Sequence, residues 1–214
     1  MLMNVVFGIH QRPLEIKLYD VEKGVLMQDG NFVLGAFPVI HRGPGCFGYT
    51  FEEKPRHPFL AAKADALGVP QGPERGQLVR GQCITLADGT VIHPDEVLGP
   101  EQPGARLVFV GDAGTTKNLA EIVRDADTLV IEATYLDQDQ DMARKFGHLT
   151  ARQAAELARD ANVTALILTH ISRRYYERDV LAEAKSIFEN TFIARDLDHF
   201  QIAKGGDVRR VRET

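Results

Sequence analysis

Three short apolar runs dominate the second half of the chain. Leu107 to Asp112 (LVFVGD), Thr128 to Thr134 (TLVIEAT) and Ala165 to His170 (ALILTH) each read as a buried strand. Each delivers one polar residue near its C-terminal end: Asp112, Glu132 and His170. Apolar runs this short, alternating with helical patterns, predict parallel strands buried on both faces. One helix is expected over about Lys117 to Ala126, with Leu119, Ile122, Val123 and Ala126 on one face and Thr115 or Thr116 as its cap. A second opens on the capping box Thr150/Gln153 and buries Ala154, Leu157, Ala158 and Ala161. A third, about Asp179 to Glu189, turns Val180, Leu181, Ala184, Ile187 and Phe188 inward, and TFIARD and HFQIA follow as strands. The fold class is therefore α/β, and ligands of such sheets bind beyond the carboxyl ends of the strands.

The first half is patterned differently. From Val5 to Tyr49 strand-like runs alternate with turns (LEIKLYDV, GVLMQDGNFVLGAFPVIH, CFGYTFEEK), and Asp29-Gly30 reads as a hairpin turn between Val25 to Gln28 and Asn31 to Leu34. An antiparallel meander is expected, with His41 closing one strand before the turn RGPGCFGY. Pro55 to Gly104 departs in composition, with six prolines from Pro55 to Pro100 and little apolar periodicity, so no second core is expected there. Within it, Pro58 to Leu67 suggests a short helix, LGVPQGPERGQL a turn, and QCITLADGTVIHP a hairpin through Asp88-Gly89. A segment of this kind is a functional protrusion or a disordered insertion.

Bulk properties narrow the function classes. At 214 residues the chain can bury a full core, and a net charge of -5, from 25 basic and 30 acidic residues, provides no global basic field for nucleic acid. A local patch stays open, since Arg42, Lys54, Arg56, Lys63, Arg75 and Arg80 outnumber the acids between positions 42 and 80. Cys46 and Cys83 match no zinc-finger spacing and read as free thiols of a reducing compartment. No signal peptide or membrane-spanning run is recognisable, so a cytoplasmic location is expected.

His41, Asp112 and His170 are donors suited to zinc or manganese, and an aspartate can bridge two metals in a hydrolase. Glu132 and His148 suit a carboxylate-oriented imidazole that protonates a leaving group, and Arg173 and Arg174 suit a phosphate. The structural alternative is equally concrete. Asp112 would satisfy loop amides, Glu132 would be a buried partner of Arg173, His148 a helix-cap neighbour, and Tyr175 and Tyr176 packing residues. His10, His57, His93 and His199 are assigned to structure or solvent.

The order of motifs resembles ribonuclease Z, the tRNA 3′-processing endonuclease family of the metallo-β-lactamase superfamily. The resemblance covers nearly the whole chain and rests on VIHRGPGCFGY, LGVPQGPERGQLVRGQCITLADGTVI, VFVGDAGTT, IEATY, GHLTARQAAELA and LTHISRRY. It implies an αββα sandwich carrying two zinc ions, with manganese as the alternative, and hydrolysis of pre-tRNA to leave a 3′-hydroxyl. By the same resemblance His41, Asp112 and His170 bind metal, Glu132 and His148 assist proton transfer, and Ser172, Arg173, Arg174 and Tyr175 hold substrate phosphate. Residues 55–104 become a flexible arm that grips tRNA, with Lys54, Arg56, Lys63, Gly72, Pro73, Arg75 and Arg80 as its contacts, by shape and phosphate rather than base sequence. A cytoplasmic homodimer that binds neither DNA nor membrane completes the implied picture.

The superfamily's HxHxDH signature, which supplies four metal ligands, occurs nowhere in these 214 residues. Three arrangements accommodate that departure: an N-terminally truncated or split product, which is the favoured expectation; an inactive relative that binds RNA or regulates; and a chain completed by another. A small-phosphodiester hydrolase is the alternative without RNA. Truncation of the sandwich would leave a sheet edge and an apolar face uncovered and would predict poor solubility or obligate association.

Overall fold

The computed structural model describes residues 17–211. His10 and the first positions of the LEIKLYDV run lie outside them, and residues 17–21 of that run form no strand. The meander begins instead at β1 (Gly24–Gln28), which pairs antiparallel with β2 (Phe32–Pro38) and then β3 (Phe47–Glu53). The Asp29-Gly30 turn falls where expected, and the Asp29 carboxylate accepts the Asn31 and Phe32 amides. Those amides hold the Asp29 carboxyl below its ordinary range.

The three apolar runs become β6 (Arg106–Phe109), β7 (Thr128–Glu132) and β8 (Ala165–Thr169), and β9 (Thr191–Ile193) follows. They pair in parallel, while β3 joins β6 antiparallel, giving one seven-stranded sheet of order β1-β2-β3-β6-β7-β8-β9. Side chains alternate between its faces. Val108, Leu129, Ile131, Leu166 and Leu168 meet the helices in the main core, while Val130, Ala165 and Ile167 meet a hairpin of β10 (His199–Ile202) and β11 (Val208–Val211). Buried Asp127 pins that hairpin by accepting the Gly205 amide at 2.7 Å and the Lys204 ammonium at 3.1 Å. On the same face farther along the sheet, Met27 of β1 is 56% and Phe109 of β6 44% exposed among the described residues.

Two expectations for the second half need correction. The helix expected from Lys117 is a single turn, Ala120–Val123, and no threonine caps it; Thr115 instead accepts the Lys117 amide. It stops early because Asp125 adopts a left-handed φ of 54° and its amide bonds to the Ala161 carbonyl, tying the turn to the end of a neighbouring helix. That neighbour, Ala151–Asp160, starts on the Thr150/Gln153 capping box as expected, and Glu177–Lys185 supplies the last helix.

The protrusion is corrected more strongly. It contains the expected helix (Ala61–Ala66) and hairpin (β4, Ile84–Thr85; β5, Val91–Ile92), but also a helix at Pro73–Val79, where a turn was expected, and one at Pro94–Val97. Proline at the first helical position, with Glu74 behind it, is the start signal in QGPERGQL. The segment also has a core of its own, formed by Ala64, Val69, Leu78, Ile84, Ile92 and Val97. Each short element contributes one of these residues and the loop after the first helix contributes Val69, so no single window shows a period. At the stem, Arg56 bridges Gln102, and Gly104 packs so tightly that a Cβ there would lie 2.0 Å from the Glu53 carbonyl oxygen.

Candidate active site

The polar ends of the strands converge. His41 Nε2 lies 3.9 Å from one Asp112 oxygen and His170 Nε2 lies 3.6 Å from the other, so the carboxylate stands between two imidazoles. His148 completes the group, its ring centroid 5.2 Å from that of His41 and 5.3 Å from that of His170. One donor atom each from His41, Asp112 and His148 fall within 4.8 Å of one another, which makes these three the cation-sized group among the described residues. The sequence reading placed His148 with proton transfer and His170 with metal; the geometry brings both to Asp112.

Backbone and carboxylate partners fix the rings. Helix Gln140–Phe146 ends on Gly147, whose left-handed φ of 70° suits glycine. The Gly147 carbonyl accepts from His41 Nδ1 at 2.8 Å, which leaves Nε2 facing Asp112. His148, one residue on, donates from Nδ1 to Glu132 at 2.9 Å. Glu132 is fully buried and also accepts from the Ala113 amide at 2.7 Å, the Leu149 amide at 3.2 Å and the Thr134 hydroxyl at 2.5 Å. It is thus no partner of Arg173. His170 follows β8 with a left-handed φ of 55°, a backbone conformation costing about 1–2 kcal/mol for an L-residue.

Of the expected phosphate contacts, Ser172, Arg173 and Arg174 sit on the loop after His170, with both arginines exposed and Arg174 reaching the Met142 sulfur. Tyr175 is a correction. It packs against the main core, and its hydroxyl donates to Asp139, a carboxylate that would repel phosphate. Burial first, and then that bond, push the Tyr175 phenol up to about 12.

Two protrusion residues are also spent on structure. Arg75 bonds Asp65, the Val69 carbonyl and the Pro70 carbonyl, with its guanidinium over Phe59, so it is part of the protrusion's framework rather than an open cation. Lys54 donates to the Asp29 carbonyl, tying the stem to the β1–β2 turn. Arg56, Lys63 and Arg80 remain exposed, while Gly72 and Pro73 serve as cap and first residue of a helix.

Sequence reasoning missed the orienting Gly147, for which the signal was a glycine ending the helical run DMARKF, and the hydroxyl of Thr134, two residues past Glu132.

The β-lactamase superfamily domain profile matches residues 96–171, which include Asp112, Glu132, His148 and His170. Ribonuclease Z of Bradyrhizobium diazoefficiens is 43% identical over 197 residues, covering 92% of this chain and 65% of that protein. Ribonuclease Z of Brevibacillus brevis is 40% identical over 202 residues, covering 91% of this chain and 63% of that protein. The chain thus spans just under two thirds of the length of these relatives. Among solved structures, a metallo-β-lactamase fold protein of Bacillus subtilis aligns with a TM-score of 0.48 at 19% identity, covering 86% of this chain and 52% of that one. The chain has the metallo-β-lactamase fold and is similar to the ribonucleases Z along most of its own length.

Proposed function

We propose that this chain carries the metal-binding and proton-donating part of an endoribonuclease that matures the 3′ end of pre-tRNA by phosphodiester hydrolysis. The observation that carries the reading is the Asp112 carboxylate between His41 and His170, with the Glu132-held His148 beside it. The donor set fits a divalent cation: two imidazoles and a carboxylate suit zinc, with manganese as the alternative. His41 and Asp112 would hold it with His170 as third donor, as the resemblance implies, while His148, which forms the tighter group with His41 and Asp112, is kept for proton transfer on the same resemblance. What such a cation supplies when bound is activation of water and neutralisation of phosphate charge.

The chain's own residues do the rest. Glu132 fixes the His148 ring by accepting from Nδ1, which leaves Nε2 as the nitrogen that gives a proton to the departing ribose oxygen, so that the product ends in a 3′-hydroxyl. Ser172, Arg173 and Arg174 hold the phosphate from the loop beyond His170. Arg56, Lys63 and Arg80 on the 55–104 arm hold tRNA phosphates at a distance from the cut. On the resemblance alone, the complete enzyme is a cytoplasmic homodimer.

The test measures bound zinc and pre-tRNA cleavage for the chain alone and for the chain joined to the HxHxDH-bearing segment of a relative, with His170→Ala as control. Metal binding and 3′-hydroxyl product in the joined protein, both lost in His170→Ala, support the reading. Binding of tRNA with neither metal nor cleavage in either form would replace it with an RNA-binding role.

A further inference from the structure

Beside His148, on the side bounded by the loop after β6, lies a cavity of about 330 Å³. That volume is at the lower end of small-ligand pockets. Its walls are Thr115, Thr116 and Lys117 from the loop, Gln140 and Arg144 from helix Gln140–Phe146, and Gln153 from the first turn of the next helix. None of the residues lining it is a carboxylate, and two are cations, so an anionic ligand is favoured, in competition at Arg144 with the exposed Asp141 carboxylate 3.7 Å away and the Gln140 side-chain oxygen at 3.3 Å. Gln153 accepts the Thr150 amide through its carbonyl oxygen at 3.0 Å, which leaves its amide NH₂ to donate. His148 is a wall of this cavity and a member of the Asp112 cluster at once.

We propose that the cavity seats the nucleotide whose ribose oxygen leaves in the cut, the one that becomes the 3′ end of the tRNA; this rests on the function proposed above. In an in-line displacement the attacking and leaving oxygens lie on opposite sides of phosphorus. The proton donor must touch the leaving oxygen, so the ribose bearing that oxygen lies on the His148 side. Water attacks phosphorus and releases a proton to solvent, the bond from phosphorus to the ribose 3′ oxygen breaks, and His148 gives its proton to that oxygen and is reprotonated from solvent. The cavity is the space next to His148 able to take the ribose and base, with Lys117 and Arg144 placed for the phosphate on the same nucleotide's 5′ side. Lys117, Arg144, Gln140 and Gln153 are positioning residues here, because none reaches the reacting bond.

The probe is adenosine 5′-monophosphate, which carries the free 3′-hydroxyl and 5′-phosphate of that product end. It is titrated into the whole chain while the Thr115 to Lys117 backbone amides and the Gln153 side-chain amide are followed by NMR, with adenosine and inorganic phosphate in parallel. The expected result is saturable shifts at these positions, binding tighter than for either fragment, and about tenfold or more weakening in Lys117→Ala/Arg144→Ala, from loss of two charge-assisted contacts. Both side chains are exposed, and unchanged resonances elsewhere verify that the variant is folded. Absence of local shifts, or equal affinity for inorganic phosphate, overturns the proposal. Pre-tRNA cleavage by the joined protein separates the two readings. Cleavage without nucleotide binding sinks the cavity proposal alone; nucleotide binding without cleavage sinks the leaving-nucleotide assignment together with the endonuclease reading.

Discussion

Replacing Glu132 by glutamine tests whether one carboxylate holds the candidate site together. Glu132 is 0% exposed and receives four donors: two backbone amides, the Thr134 hydroxyl and His148 Nδ1. Glutamine has the same shape but one acceptor oxygen, and its NH₂ must point at donors. The least costly orientation puts the oxygen toward Ala113 and His148 and the NH₂ toward Thr134, whose hydroxyl can rotate to accept. The Leu149 amide is then left buried and unpaired, at about 1–3 kcal/mol, and the bond to His148 loses its charge, at about 1 kcal/mol more. The expected loss is therefore about 2–4 kcal/mol, which lowers the melting temperature by roughly 5–15 °C for a chain of this size. Urea unfolding at neutral pH, with the denaturant slope unchanged, measures it. A midpoint indistinguishable from the parent would refute the claim that Glu132 is the acceptor on which these four groups depend. Thr134→Val gives a second check, since it removes one donor and costs less than Glu132→Gln.

Two further outcomes follow from single contacts. Tyr175 has its phenol raised from 10.0 to about 12, so the neutral form is favoured in the fold; that stability is fully present below pH 10 and is lost as pH rises through 12. Melting temperature measured against pH should fall more steeply over pH 10–12 in the parent than in Tyr175→Phe, and parallel curves would show that the phenol is not linked to folding. At His170, whose φ is 55° and whose side chain is half exposed, His170→Gly should be more stable than His170→Ala by about 1 kcal/mol, because only glycine adopts that backbone freely. Equal denaturation midpoints for the two variants would mean that the left-handed backbone is not strained.

What the sequence made legible is what lies within one short window. LVFVGD, TLVIEAT and ALILT carry their strand signal over four to seven residues, and Thr150/Gln153 its cap over four, and all are found where expected. The protrusion's core was illegible because Ala64, Leu78, Ile84, Ile92 and Val97 come one each from five elements and Val69 from a loop, so none has a face of its own to show. The single-turn helix at Ala120–Val123 was misjudged because its end is set by the Asp125 amide meeting Ala161, a contact between residues 36 apart that no local preference announces. Arg75 and Tyr175 carry the same lesson for charge and polarity. Residue type marks a possible phosphate contact, but the partner that occupies the side chain, Asp65 or Asp139, is visible only in three dimensions.

The site itself was half legible for a related reason. Strand ends announce Asp112, Glu132 and His170, since an apolar run that stops at a polar residue marks the sheet's carboxyl rim. The rim supplies the carboxylates, but two of the imidazoles depend on the helical layer as well. His41 is held by the carbonyl of Gly147, where helix Gln140–Phe146 ends, and His148 enters from the residue after that glycine. One left-handed glycine therefore aligns two of the three histidines: its carbonyl fixes one ring and its turn delivers the other to Glu132. The same helix turns Gln140 and Arg144 toward the cavity behind His148. Any shift of this helix would thus move the His41 ring, the His148 ring and the cavity wall together, because all three are built on the joint between the sheet's carboxyl rim and one helix end.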